Sequence, residues 1–90
     1  MAEGDDFRSL AARRLKKMES CMCRALASIA FCELLARNNP KNLPASLEEL
    51  DVLLQAGGVR REGWGNYDGM LPIILEELNF LLAEEATEQD

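Results

Sequence analysis

Histidine is missing from this 90-residue chain. Its absence removes His-based catalytic triads, HExxH zinc sites and the usual general base near neutral pH together. Glycine occurs six times, but in no GxxxxGK[ST] or GxGxxG spacing; Gly63-Trp64-Gly65 lacks the strand and phosphate-facing helix that would make it a nucleotide loop. Long apolar runs are also absent, none approaching the roughly 18 residues of a membrane span, which predicts no membrane insertion. The opening MAEGDDF is acidic and carries neither the basic region nor the apolar core of a secretory signal, which predicts a cytoplasmic location.

Cysteine is scarce, and its three copies, Cys21, Cys23 and Cys32, are odd in number with no repeated pairing pattern. That predicts reduced thiols inside a fold, not a disulfide framework. On one helix Cys21 and Cys23 point in separate directions and Cys32 lies three turns away, so the three cannot share one ion. They read as small hydrophobes, Cys23 being the more exposed. The carboxylate pairs Glu48/Glu49, Glu76/Glu77 and Glu84/Glu85 diverge by about 100 degrees within each pair, which suits solvated faces better than a metal or a scissile bond. No catalytic residue, metal or cofactor is expected.

What the chain does have is an ordinary folded composition, 48% hydrophobic and 29% charged, in a length that makes one domain, residues 1–90, with acidic ends at 1–6 and 86–90 that read as frayed. The net charge of −6 is unevenly spread: residues 1–45 hold eight Lys or Arg against five Asp or Glu, and residues 46–90 hold two against eleven. Antiparallel helices attracting each other through their flanks would explain this, as would an acidic surface for a basic partner; a phosphate-binding basic half is the weakest explanation, because the remainder would repel nucleic acid.

Residues 7–37 contain neither Gly nor Pro and carry a stripe at alternating steps of four and three: Ala11, Leu15, Met18, Met22, Ala25, Ile29, Cys32 and Ala36. This predicts one long helix over about 7–37, capped by Asp6 and stopped by Asn38 and Pro40. Ser46-Leu47-Glu48-Glu49 is a capping box opening a second helix over about 47–56, which Gly57 and Gly58 end, with Val59 closing the turn. A third helix over about 68–85, capped by Asn66 or Asp68, buries Leu71, Ile74, Leu78 and Leu81; Leu75, Leu82, Ile73 and Phe80 widen its apolar surface, and Pro72 fits if it lies in the first turn.

The expected fold is therefore all-α: a small helical bundle in which two shorter helices run back along one long one. At about 1.5 Å per residue the long helix spans roughly 45 Å, so part of its stripe lies beyond its partners' reach. A homodimer burying Leu15, Met18, Met22, Ala25 and Ile29 is the simplest remedy. Trp64 and Tyr67 in the glycine-rich loop, with Arg60 and Arg61, are the expected epitope for a protein partner; the competing reading makes Trp64 a lid over the bundle end. Two functions follow. One is a non-enzymatic protein–protein interaction module, an adaptor, regulator or inhibitor, whose partner is a protein, a basic one if the acidic half is the binding surface. The other is a small dimeric nucleic-acid-associated regulator placing Arg13, Arg14, Lys16, Lys17 and Arg24 on phosphates.

Overall fold

The computed structural model describes residues 3–37 and 42–89, with side chains described for 7–37 and 42–84. Four α-helices account for most of them: α1 Glu3–Lys17, α2 Cys21–Ala36, α3 Leu47–Ala56 and α4 Tyr67–Gln89, with a single 3-10 turn at Arg61–Gly63. Among the described residues there is no strand. The all-α bundle expected from the sequence is present; its long first helix is not.

The chain reverses at Met18–Ser20. Met18 N–H closes the end of α1 by donating to the Leu15 carbonyl at 3.3 Å. Ser20 then takes an extended backbone, φ −90° and ψ 126°, and its hydroxyl accepts from Cys23 N–H at 3.3 Å, capping α2. Arg14, Lys16 and Lys17 occupy the last turn of α1, where cations favour the negative end of a helix. The consequence is visible in the aromatic pair Phe7–Phe31, whose ring centroids lie 6.0 Å apart, edge to face. On a continuous helix those two residues would sit about 36 Å apart. Asp6, expected as a cap, lies inside α1, which begins at Glu3. Asn38 and Pro40, expected to stop the helix, lie outside the described residues.

Folding α1 back on α2 changes which face is buried. On α2 the core face is Cys23, Leu26, Ala27, Ala30, Phe31 and Leu34. The second half of the expected stripe, Met22 to Ala36, points the other way: Met22, Cys32 and Ala36 are exposed, and Ala25 and Ile29 half-buried. Phe7, Leu26, Leu50, Leu54, Ile74, Leu78 and Leu81 are fully enclosed, one or more from every helix. The core thus runs between all four helices.

The remaining elements follow local rules. Ser46 Oγ accepts from Glu49 N–H at 3.3 Å, while the Glu49 carboxylate reaches back to Ala45 N–H, one residue earlier than a standard capping box. At the far end of α3, Val59 N–H donates to the Leu54 carbonyl and Gly58 N–H to Gln55, a Schellman turn in which Gly58 takes φ 92° and Val59 is buried. Gly57 is needed for a different reason: a Cβ there would stand 2.5 Å from Ile29 Cγ2, so α3 ends against α2 only without one.

Asn66 precedes α4 with φ 53°, a left-handed conformation that asparagine tolerates, and its carbonyl accepts from Met70 N–H. Because α4 starts at Tyr67, Pro72 is its sixth residue and not part of its first turn. The ring lies on the exposed side, so the Asp68 carbonyl, which loses its usual donor from position 72, faces an exposed surface as well. Ile73 and Phe80, expected to be covered, are 49% and 42% exposed.

The reversal is open to direct test. Phe7→Ala should cost about 3–5 kcal/mol in denaturant unfolding, as for a buried aromatic; a loss under about 1 kcal/mol would mean that Phe7 lies on an exposed helix end and that α1 does not fold back.

Candidate protein-docking face

α2 is unusually poor in charge, with only Arg24 and Glu33 in its sixteen residues. Opposite its core face lie Cys21, Met22, Ala25, Ser28, Cys32 and Ala36, none of them charged and all exposed or half-buried. Where this face meets α1 there is a groove of about 370 Å³, lined by Arg8, Ala11, Ala12 and Leu15 of α1 and by Ser28, Phe31, Cys32, Leu35 and Ala36 of α2. Its surface is apolar and made largely of small side chains. Such a face is what a second helix needs in order to approach closely.

The α1 side of the groove is cationic. Arg8, Ala12 and Lys16 share one row at steps of four, and no acidic residue occurs between Phe7 and Lys17. Arg8, Arg13, Lys16 and Lys17 are exposed, and among the described residues none has an ion-pair partner. Arg14 differs. Its guanidinium grips Glu77 of α4 with two hydrogen bonds, Nε to Oε2 at 2.7 Å and Nη2 to Oε1 at 2.8 Å, and lies over the Phe80 ring at 3.9 Å from its centroid. Both partners are largely screened from solvent, so the pair fastens α1 to α4. Arg24 is half-buried and donates to the Cys21 sulfur at 2.8 Å. Of the five cations expected to line one phosphate-binding face, Arg13, Lys16 and Lys17 remain free on α1 while Arg14 and Arg24 are engaged within the fold.

The five residues expected at a dimer interface do not lie on one surface. Leu15 lines the α1–α2 groove, Met18 is buried at the reversal, Met22 is 38% exposed, and Ile29 packs beside Gly57 at the end of α3. The heptad register that joined them assumed an unbroken helix, and the turn at Met18–Ser20 divides it.

The aromatic segment is built into the fold. Tyr67 is the first residue of α4, 4% exposed, and its hydroxyl donates to Asp51 Oδ1 on α3 at 2.5 Å. Gln55 donates to the same carboxylate oxygen at 3.3 Å, and Arg61 pairs with Asp68 at 2.6 Å with its guanidinium 5.2 Å from the Tyr67 ring centroid. Trp64 is half-buried and packs against the core. Arg60 is exposed. Of the four residues expected to form an epitope, Tyr67 ties α3 to α4, and Trp64 keeps part of its surface exposed.

This network sets two ionisation equilibria. The Tyr67 hydroxyl hydrogen bond is the main cause holding the Asp51 carboxyl below its ordinary range, helped by Gln55 and Arg61 against the opposing effect of burial. Burial, reinforced by Asp51, pushes the Tyr67 phenol up to about 12.

The thiols are also placed differently from expectation. Cys23 is buried, whereas Cys21 and Cys32 are exposed. Two residues along a helix turn by about 200 degrees, so burying Cys23 puts Cys21 outside. Among the described residues, no three Cys, Asp or Glu side chains are grouped to hold a metal ion, and no helix is long and apolar enough to cross a membrane. A larger hollow of about 510 Å³ lies between the end of α2 and the start of α3, but its walls mix Arg37 with Glu48 and Glu49 and offer no uniform surface. Compared with known protein families, curated proteins and solved structures, the chain has no match.

Two measurements follow from the site. Cys21 and Cys32 should react promptly with a thiol reagent in the native protein, with Cys23 reacting only on unfolding; prompt reaction of all three would place Cys23 outside the core. Tyr67→Phe should cost about 1.5–3 kcal/mol, the range for a hydrogen bond to a charged group. A phenol whose pKa is raised by folding contributes stability that is complete below about 10 and lost as pH rises towards 12. The wild-type protein should therefore lose more stability across that interval than Tyr67→Phe does, and parallel losses would show that the Tyr67 phenol is not buried. Asp51 acts in the opposite sense, its contribution being present above the ordinary carboxyl range and lost as pH falls through its lowered value.

Proposed function

We propose that this chain is a non-enzymatic protein–protein interaction module, an adaptor or regulator, that docks a helix of a partner on the outer face of α2 and the adjoining α1–α2 groove. The observation that carries the reading is the uncharged, partly exposed face of α2. A helix facing only water gains nothing from such a surface, whereas one that receives a partner gains from every apolar atom it covers. The Trp64/Tyr67 segment supports the scaffold in this reading, and the binding surface lies on the helices. A homodimer would use the same face, with Leu15 and Met22 at its margins. The nucleic-acid reading retains Arg13, Lys16 and Lys17 as a short basic row, fewer cations than strong counterion release requires.

Ala12 and Cys32 are exposed residues on opposite sides of the groove, so the double variant Ala12→Glu/Cys32→Glu should fold with stability within about 1 kcal/mol of wild type. Captured from a lysate of the source cells, a protein retained by the wild-type chain should be lost by this variant and kept by Arg60→Ala/Trp64→Ala. The reverse pattern would move the binding surface to the aromatic segment. Identical captures from all three would remove both surfaces from the function.

A further inference from the structure

We infer that the occupant of the α1–α2 groove is an amphipathic helix of another protein with acidic flanks, recognised through Arg8 and Lys16. The inference rests on the docking reading above and adds the partner's chemistry. The groove has two unlike walls. On the α2 side the row Ser28, Cys32 and Ala36 is small and uncharged, Ser28 half-buried and the other two exposed; on the α1 side Arg8 and Ala12 line the groove and their row continues one turn on to Lys16, so that it carries two exposed cations without an ion-pair partner among the described residues.

The nearest acid on α2, Glu33, is half-buried, with Arg37 at 3.7 Å and its Cγ beside Gly57, on the side of α2 that faces α3. Among the described residues, no acid lines the groove and none pairs with Arg8 or Lys16. A helix seated there keeps those cations near its own flank, where glutamates are attracted and lysines repelled, at a margin partly shielded from water.

The same charges make a second copy paired through antiparallel α2 helices the poorer occupant. In a two-fold contact with antiparallel α2 helices, the two α1 helices fall along one edge of the interface, so the cations of one copy face those of the other. A membrane surface is excluded on shape. Interfacial helices insert large apolar side chains, and Ala12, Ser28, Cys32 and Ala36 supply little depth.

The probe is a fluorescein-labelled designed peptide as long as α2, with leucines in an a/d stripe and glutamates on both flanks. It is compared with the same peptide carrying lysines in place of the glutamates. By fluorescence anisotropy the acidic peptide should bind at least about tenfold more tightly than the basic one, with an affinity that falls as salt is raised. Arg8→Glu/Lys16→Glu, checked for native helicity, should remove that preference. Alkylation of Cys32 in a Cys21→Ser background should block binding, which places the peptide in the groove.

Equal binding of both peptides, blocked by alkylation, would overturn the acidic partner and leave the docking groove standing. Self-association that alkylation blocks, with neither peptide bound, would make the occupant a second copy. Binding only to phosphatidylserine-containing vesicles would make it a membrane surface. Failure of both peptides to bind would overturn the inference, while the groove's role in docking is decided separately by the capture experiment.

Discussion

The reversal at Met18–Ser20 is the constraint on which the rest of the molecule depends. It converts what would be one long, half-covered helix into an α1–α2 hairpin, and thereby sets Phe7 on Phe31 and makes α1 available to α4. Without it Phe7 and Leu10 would have no core to enter. The turn itself is slight: one hydroxyl capping one N–H and a tightened last turn of α1. A cap of this kind contributes about 1 kcal/mol, while each buried aromatic or leucine side chain contributes about 1.5–3 kcal/mol. Packing therefore decides that the chain turns, and Ser20 decides where.

Two polar contacts then hold the helices in register. Arg14 joins α1 to α4 through Glu77, and Tyr67 joins α4 to α3 through Asp51. Both sit at the margin of the core, where desolvation is incomplete and a hydrogen-bonded charge retains a net benefit. The Arg14–Glu77 pair also accounts for part of the charge imbalance along the chain. The basic first half and the acidic second half meet across the bundle at Arg14–Glu77, as flank attraction between helices requires, but only one of α1's five cations is used in this way among the described residues. The other four have no ion-pair partner among the described residues.

How much of this was legible in the sequence depends on how locally each feature is encoded. α3 was readable from end to end, because Ser46 and Glu49 mark its start and Gly57-Gly58-Val59 its finish. The buried stripe of α4, Leu71, Ile74, Leu78 and Leu81, was equally plain from its spacing. The break after Lys17 was not, since neither Gly nor Pro marks it and the apolar register runs straight across it. Lys16 and Lys17 followed by Ser20 were the available signals: cations closing one helix and a hydroxyl opening the next. A helix unbroken there turns the wrong face of α2 inward, inverts the exposure of the three cysteines and draws a dimer stripe across the turn. Tyr67 stands out in the sequence as an epitope residue, but its structural role is hidden for another reason. Its partner Asp51 lies sixteen residues away, and no local pattern joins them.

The stripe that on an unbroken helix predicts a dimer still has meaning once it is divided. Its α1 members, Ala11 and Leu15, and its last α2 members, Cys32 and Ala36, come together across the hairpin as opposite walls of one groove. The regular spacing recorded an apolar surface on each helix; it did not show whether the two were collinear or side by side. Side by side, they form a concave surface of small residues, and a concave surface buries more of an incoming helix than a convex ridge of the same composition. Small side chains carry a second consequence. They lose little rotamer entropy when covered, so the cost of ordering the receiving surface is low and more of the apolar gain remains for affinity. Under the proposed docking reading, the apolar lining would supply binding energy, and the cations of α1 that lack an ion-pair partner among the described residues would choose among helices that otherwise fit equally well.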